Sequence, residues 1–356
     1  MKFLLAGGGT GGHVNPLLSL AEQLRAEGHE VYALGTKEGL EQRLVPERGF
    51  ELLTVKKLPF PRKLSLGALG FPFQLISESI KVAKIISRRE IDAVVGFGGY
   101  ASPPAYIAAW LSRKPLVVHE ANAIAGYANK LGAKLGGKVA IAFPNSNLSG
   151  ELTGMPIRSE ILDSLADYDK GQARVELGLD PMLPTLLVTG GSLGAKSINE
   201  TVIQSLETLN AAGIQVLHIV GDRAGLDEVS EPGYRRMSYC LRMDAAIAAS
   251  DLAVSRAGAS TVSEFAAAGL PAIYIPYPVG NGEQRLNALT VVEAGGGLLV
   301  NDKDFDADYV ANRVIPILSH SSTLKKMSQA AKSVAIPDAT ARLRDLLLSS
   351  VNTGAR

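Results

Sequence analysis

The chain has 356 residues, 46% hydrophobic and 20% charged, a globular composition that excludes disorder and suggests two domains of ordinary size. The net charge of +1 is unevenly spread: residues 1–158 carry 19 basic and 12 acidic side chains against 17 and 23 in the remainder, an imbalance that either suits an anionic surface or is chance asymmetry. The single cysteine, Cys240, excludes a disulfide framework within the chain and fits a reducing compartment, and no apolar stretch reaches the ~18 residues of a membrane span.

Lys2–Ala6 reads as a first strand and not as a signal peptide, because its apolar run is short and glycines follow at once. Buried strands are then predicted at Val31–Leu34, Ala93–Val95, Leu116–Val118 and Val139–Ile141, with amphipathic helices at Pro16–Glu27 and Gln74–Arg89 between them. The second half repeats the theme at Leu186–Val188, Gln215–Ile219, Leu252–Val254, Ala272–Ile275 and Leu298–Val300. This spacing predicts an α/β protein of doubly wound βαβ units with right-handed crossovers. The halves are expected to meet near Gly154-Met-Pro-Ile-Arg158, ahead of a helix at Ser159–Ala166. The chain ends in helical pattern, Ser321–Ala335 and Pro337–Ser350, interrupted at Ile336-Pro337-Asp338.

A glycine loop follows the first strand of each half: Gly7-Gly-Gly-Thr10-Gly11-Gly12-His13 and Gly190-Gly-Ser192-Leu-Gly194-Ala195. Glycines let the backbone approach an anion, and N–H groups at a helix N-terminus face its charge. Two such loops predict two facing domains with a phosphorylated ligand in the cleft. Gly7-x-Gly9-x-x-Gly12 also fits the dinucleotide fingerprint, but the expected ribose-binding acid is missing from Leu34-Gly35-Thr36-Lys37. His13 sits where a helix dipole lowers an imidazole pKa; it is either a base or a polar cap.

Further along, Gly96-Phe-Gly98-Gly99-Tyr100-Ala-Ser102 and His119-Glu120-Ala-Asn122 follow strands, where open α/β sheets place ligands. Arg256-Ala-Gly258-Ala259-Ser260-Thr261-Val262-Ser263-Glu264 is a turn rich in hydroxyls, with Glu264 placed to hold a ribose diol or to complete a capping box. The loop at 276–284, ending in Glu283-Gln284, suits sugar hydroxyls. The five histidines show no paired ligand spacing, and Asp306-Ala-Asp308 reads as a helix cap and not as a metal pair. Between Glu51 and Glu78 there is no acidic residue: Lys56, Lys57, Arg62 and Lys63 lie among Phe60, Leu64, Leu66, Leu69 and Phe71. Basic and apolar side chains together fit either an anionic bilayer or a loop over the core. Prolines 59, 61 and 72 are expected to keep this stretch from forming one long helix.

Taken together, Gly8-Gly-Thr-Gly-Gly-His13, Gly98-Gly-Tyr100, His119-Glu-x-Asn122, Gly190-Gly-Ser-x-Gly194-Ala, Arg256-x-Gly-Ala-x-Thr-Val-Ser-Glu264, Gln284-x-x-Asn287-Ala and Ile336-Pro-Asp-Ala resemble, end to end, the MurG family of bacterial glycosyltransferases. The resemblance implies a GT-B fold: two facing Rossmann-like domains, residues 1–158 plus 337–356 for acceptor and membrane and residues 159–336 for the UDP-sugar, with the last helix crossing back onto the first domain. It implies inverting transfer of N-acetylglucosamine from UDP-N-acetylglucosamine to lipid I, giving lipid II at the cytoplasmic face of the cell membrane. Donor contacts carry over to Thr10, Gly11, Gly12, Asn122, Arg158, Ser192, Cys240, Ala259, Ser260, Thr261, Val262, Ser263, Glu264 and Gln284. Gly8, Gly9, Tyr100 and Ser102 are expected on the acceptor side, with His13 or Glu120 as catalytic base. No cofactor, metal or nucleic acid is implied; cell-wall synthesis proteins are further partners. Position 240 departs from the aliphatic residue usual in the family, and Glu283 stands where some members have glutamine. Competing readings are an NADP-dependent oxidoreductase, a UDP-N-acetylglucosamine 2-epimerase and a membrane-docking scaffold.

Overall fold

The computed structural model describes residues 1–60, 66–167, 169–191, 194–222 and 224–354. The chain divides into two compact units, Met1–Arg158 with Pro337–Arg356, and Ser159–Ile336.

The first unit runs β1 (Lys2–Ala6), α1 (Gly11–Ala26), β2 (Glu30–Gly35), α2 (Glu41–Glu47), β3 (Glu51–Thr54), α3 (Leu66–Arg88), β4 (Ala93–Gly96), α4 (Ser102–Leu111), β5 (Leu116–Glu120), α5 (Tyr127–Lys134), β6 (Lys138–Ile141) and β7 (Glu151–Leu152). Its sheet has the order β3-β2-β1-β4-β5-β6-β7, and every pairing is parallel. Side chains alternate across a parallel sheet with both faces covered, so the strands read as continuous apolar runs. Phe3 and Leu5 pack on one face with Leu17 and Leu24 of α1. Leu4 and Ala6 pack on the other with Val82 and Ile86 of α3 and Ala105 and Tyr106 of α4.

The second unit runs α6 (Ser159–Asp167), α7 (Lys170–Glu176), β8 (Thr185–Thr189), α8 (Lys196–Gln204), α9 (Leu206–Ala211), β9 (Gln215–Ile219), β10 (Val229–Glu231), β11 (Tyr234–Met237), α10 (Met243–Ala249), β12 (Leu252–Ser255), α11 (Ala259–Ala268), β13 (Ala272–Tyr274), α12 (Glu283–Glu293), β14 (Gly297–Leu299), α13 (Ala307–Tyr309), α14 (Ile315–Leu318) and α15 (Ser321–Ser333). The order β10-β11-β9-β8-β12-β13-β14 repeats the winding of the first sheet, with β10 antiparallel at the edge. The last helix, α16 (Ala339–Gly354), belongs to the first unit. It buries Leu343 and Leu347 in the core that α1 covers, at roughly 1.5–3 kcal/mol for each leucine.

Three differences from the sequence reading have local causes. Helix α3 begins eight residues earlier than the predicted Gln74 and contains Pro72. A proline this near a helix start removes only one main-chain bond, and α3 is anchored further along by the buried Val82 and Ile86. Helix α1 likewise begins in the glycines and takes in Pro16. Strands β3, β7, β10 and β11 were not predicted. They are short strands, three of them at sheet edges and β11 next to one, and β10 and β11 flank Pro232-Gly233 with charged residues at 231, 235 and 236, so neither run is apolar enough to read as buried.

Two fully buried histidines make the fold sensitive to acid. His218 on β9 lies between the Tyr234 hydroxyl (3.0 Å) and Asn199 Oδ1 (3.1 Å), and burial, with Arg236 adding, pushes its pKa down to about 3. Burial holds His119 on β5 at about 4. Both are neutral in the folded state, so their contribution is complete above the unfolded value near 6.5 and is lost as pH falls toward 4 and then 3. By about pH 5 each should cost about 2 kcal/mol. Calorimetric melting between about pH 7.5 and pH 5 should show a falling Tm, with a shallower slope in His218→Gln. Equal slopes would remove His218 as a source.

Candidate active site

In the first unit the glycine loop leaves β1 and enters α1 without a side-chain cap: Thr10 holds the N-cap position, and its Oγ1 lies 3.3 Å from His13 Nδ1. The His13 Nδ1 atom is also 3.1 Å from the carbonyl of Gly8. A carbonyl only accepts, so Nδ1 carries the proton and the lone pair sits on Nε2. A Cβ on Gly98 would stand 3.1 Å from that Nε2, so glycine there keeps the nitrogen uncovered. The ring is half-buried, and desolvation lowers its pKa more than the Gly8 bond and the nearby Glu41 charge raise it. His13 thus turns its Nε2 lone pair toward the loop after β4.

That second loop is seated on the first. Gly99 has φ +77°, and a Cβ there would meet the Gly8 carbonyl at 2.4 Å. Tyr100 is partly exposed at the rim, with Lys57 Nζ 5.3 Å from its ring centroid. Ser102, expected on the acceptor side, is instead fully buried, its hydroxyl between the carbonyls of Gly98 (2.7 Å) and Ala6 (3.0 Å). It ties the start of α4 to the end of β1 and presents nothing to a ligand. The Gly9 amide is likewise occupied, donating to Glu41 Oε2 at 2.8 Å; the loop's free donors must come from its other amides.

Glu120 is buried at the end of β5 and accepts from Asn122 N–H (2.9 Å), Gly126 N–H (3.1 Å) and Asn129 Nδ2 (2.8 Å). Burial raises its pKa and these bonds lower it, with burial dominant. Both oxygens are engaged in shaping the loop that carries Asn122. Arg158 closes the first stretch of this unit, half-buried.

In the second unit the equivalent loop follows β8. A Cβ on Gly194 would lie 2.2 Å from the Val220 carbonyl, and the Gly194 amide donates to Gly191 O at 2.9 Å. Ser192 lies outside the described residues. After β12, Gly258 is the N-cap of α11 and no side chain caps the helix, so the capping box considered for Ser260 to Glu264 is not formed. Among the described residues Ser260 Oγ is buried and has no hydrogen-bond partner. Thr261 and Ser263 are half-buried on the first turn, while Ala259, Val262 and Glu264 are buried. Gln284, early in α12, accepts from Tyr277 N–H at 2.9 Å, and Cys240 is buried after β11. Asp306 accepts from Tyr309 N–H at 2.8 Å and caps α13, as its sequence context indicated.

Sequence reasoning missed what holds these loops together. The Arg256 guanidinium pairs with Asp302, donates to Ser197 Oγ (3.1 Å) and reaches the carbonyls of Ile275 (3.2 Å) and Pro276 (3.3 Å). One side chain thus pins the segments after β12, β13 and β14 to the first turn of α8. Asp302 was unremarkable in sequence because its partner lies 46 residues away.

Of the predicted membrane stretch, Arg62, Lys63 and Leu64 lie outside the described residues, and Leu66 and Leu69 are placed on α3 by backbone alone. Phe60 is exposed, stacked on Tyr127 with centroids 5.6 Å apart and edge-on to Phe71 at 5.6 Å. Lys56 Nζ donates to Gln74 Oε1 at 3.2 Å. The larger apolar exposure lies further on: Phe73, Ile76 and Ile80 project from one face of α3, followed on the same face by Lys84 and Arg88. Among the described residues no helix is long and apolar enough to cross a membrane.

Residues 3–141 match the N-terminal domain of glycosyltransferase family 28, and residues 185–343 match the C-terminal domain. A UDP-N-acetylglucosamine–N-acetylmuramyl-(pentapeptide) pyrophosphoryl-undecaprenol N-acetylglucosamine transferase from Clavibacter sepedonicus is 52% identical over 98% of this chain and 96% of its own length. The protein of the same name from Streptomyces coelicolor is 46% identical over the whole of both chains. Among solved structures, Acinetobacter baumannii MurG matches with a TM-score of 0.77 at 27% identity, over 98% of this chain and 99% of that one. A glycotransferase of kitacinnamycin, at 15% identity and a TM-score of 0.70 over 98% and 99%, shares the fold.

The Arg256–Asp302 pair is mostly buried, so removing one partner strands the other's charge. Asp302→Ala should destabilise the second unit by about 2–3 kcal/mol, below the cost for a fully buried pair because some solvent reaches the site. Denaturant melts followed by a probe in that unit test this; an unchanged midpoint would show that the backbone holds the loops without the pair.

Proposed function

We infer the function from the premise that this chain belongs to glycosyltransferase family 28 and has the GT-B fold of two Rossmann-like units. The protein is a hexosyltransferase of peptidoglycan synthesis: it transfers N-acetylglucosamine from UDP-N-acetylglucosamine to N-acetylmuramyl-(pentapeptide) pyrophosphoryl-undecaprenol, lipid I, and forms lipid II. The observation that carries this is the near-complete coverage of relatives named for that reaction, at 46–53% identity. An oxidoreductase or a scaffold leaves the second loop and the α11 turn without a task.

The roles of individual residues follow from chemistry. The acceptor hydroxyl attacks the anomeric carbon with inversion, its proton passing to His13 Nε2. The bond from that carbon to the UDP oxygen breaks, and its electron pair leaves on the diphosphate. The uncapped N-terminus of α11, with the unpartnered Ser260 Oγ, offers donors to that developing charge. Glu264 takes the ribose diol, and Cys240 offers its backbone to the uracil ring. Gln284 stands by the sugar, its oxygen already fixing the Tyr277 loop. Arg158, Ser192, Thr10, Gly11, Gly12 and Asn122 complete the donor contacts by resemblance. The first unit takes the acceptor and the second the donor.

The acceptor's polyprenyl chain stays in the bilayer, so the enzyme works at a membrane face. Phe73, Ile76 and Ile80, with Phe60 and Tyr127, supply the apolar contact, and Lys56, Lys57, Arg62 and Lys63 meet anionic headgroups at the cytoplasmic side. Cell-wall synthesis proteins are natural neighbours there.

Labelled UDP-N-acetylglucosamine incubated with a lipid I analogue should give labelled disaccharide product and one UDP per transfer. Turnover of the donor without acceptor would instead point to a 2-epimerase. Glu264→Ala should weaken UDP binding by roughly 1.5–3 kcal/mol, about ten- to a hundredfold in Kd, as charge-assisted bonds are lost. Normal UDP affinity in that variant would remove Glu264 from the nucleotide site.

Binding to anionic vesicles should fall with salt, at about 1 kcal/mol per basic residue near the surface. Charge reversal at 56, 57, 62 and 63 should largely abolish it, and Phe73→Asp with Ile76→Asp should weaken it independently. Transfer to a short-chain soluble acceptor should survive both changes. Vesicle binding unaltered in both variants would place the membrane face elsewhere.

A further inference from the structure

Glu41, the first residue of α2, is fully buried. Its Oε1 accepts from the Thr36 amide and hydroxyl, both at 2.8 Å, and its Oε2 accepts from the Gly9 amide at 2.8 Å. The surroundings are cut to fit it. A Cβ would lie 2.3 Å from the carboxylate on Gly8, 1.9 Å on Gly39, and 2.4 Å from the Glu41 stem on Gly35. Three segments therefore approach one acidic side chain more closely than any alanine could. Burying a carboxylate is costly even when it is hydrogen-bonded, so a buried carboxylate that only shaped a turn would be poor value against a neutral group.

What the carboxylate reaches explains it. Gly8 and Gly9 share one peptide group. Its N–H end donates to Glu41, and its carbonyl end accepts from His13 Nδ1 at 3.1 Å. A peptide whose N–H is bonded to an anion gains electron density on its oxygen, because the amide is delocalised and consecutive hydrogen bonds polarise one another. The stronger acceptor holds the imidazole proton on Nδ1, fixes the ring plane and makes Nε2 more basic. A carboxylate bonded directly to an imidazole does the same in a catalytic triad.

We propose that Glu41 is a positioning residue for the transfer reaction, orienting and activating His13 through the single Gly8–Gly9 peptide. The proposal rests on the reading of His13 as the base. Glu41 touches no substrate. It does not move the proton; it sets the direction and basicity of the nitrogen that receives it when the acceptor oxygen bonds to the anomeric carbon and UDP departs. The Glu41 charge acts to raise the His13 pKa against the desolvation that lowers it. The other ionisable group coupled to His13 is His119 of β5, which is buried and neutral. The same geometry explains why the Gly9 amide, conspicuous in the glycine pattern, is not offered to a phosphate.

The test compares kcat against pH for wild type, His13→Ala and Glu41→Gln, with UDP-N-acetylglucosamine and a lipid I analogue. Wild type should lose activity on the acid side as His13 is protonated. His13→Ala should lose that limb and roughly 10²–10⁴ of the rate. Glu41→Gln keeps the shape but not the charge. Its acid limb should persist and move to lower pH, with kcat down about tenfold, part of what the base supplies, and donor KM unchanged. A limb left in place in Glu41→Gln, with His13→Ala dead, would overturn the relay and leave the base assignment standing. A normal limb in His13→Ala would sink the base assignment and the relay with it. An independent measurement needs no variant: ¹⁵N spectra of the histidine-labelled wild-type enzyme should show neutral His13 protonated on Nδ1. An Nε2–H tautomer would break the chain at its last link and refute the proposal even if Glu41→Gln failed to fold.

Discussion

The parallel sheet is the constraint on which the rest depends. A strand joined to its parallel neighbour by a helical crossover must place each loop that follows a strand at the same end of the sheet. The winding reverses between β1 and β4 in one unit and between β8 and β12 in the other, which opens a crevice at that end. The loops that carry His13 and Gly98 flank the first reversal, and those that carry Gly194 and Ser260 flank the second. In each unit these glycine loops owe their place to the strand they follow.

The two units use the same winding but treat the crevice differently. In the first, a buried carboxylate takes the Gly9 amide, and negative charge sits beneath the loop. In the second, the helix after β12 begins without a side-chain cap, and Ser260 Oγ has no partner. Both glycine loops looked alike as phosphate cradles, yet in the first unit the Gly9 amide is already taken by Glu41, whereas in the second Ser260 Oγ has no partner among the described residues.

What could be read from the sequence was what local patterning encodes. Apolar runs such as Leu186–Val188 announced strands because both sheet faces are covered, and glycines just past them announced close approach. Less legible were interactions between residues far apart in the chain. Arg256 and Asp302 lie in different crossovers, and nothing in either segment names the other. Ser102 looked like a ligand hydroxyl because it follows a glycine loop, yet its two carbonyl neighbours belong to Ala6 and Gly98. Pro72 looked like a barrier, yet α3 runs through it. Glu41 is the clearest case. It sits in the unremarkable run Gly39-Leu-Glu-Gln, and only the fold shows that Gly8, Gly35 and Gly39 are small on its account.

That last point alters how the glycines themselves are understood. A run of glycines beside a helix start invites the reading that every amide faces an anion. Here the run serves two ends with one geometry. Gly9 takes a φ of +92° that favours glycine, and Gly8 lacks a side chain so that a carboxylate can reach the Gly8–Gly9 peptide from one side while the His13 ring bonds it from the other. Gly98 lacks one so that Nε2 stays uncovered. Gly11 and Gly12 remain to open the helix toward a ligand. The loop is therefore divided between holding the His13 ring and leaving amides open, and the division is set by which side of each peptide the folded chain has already filled.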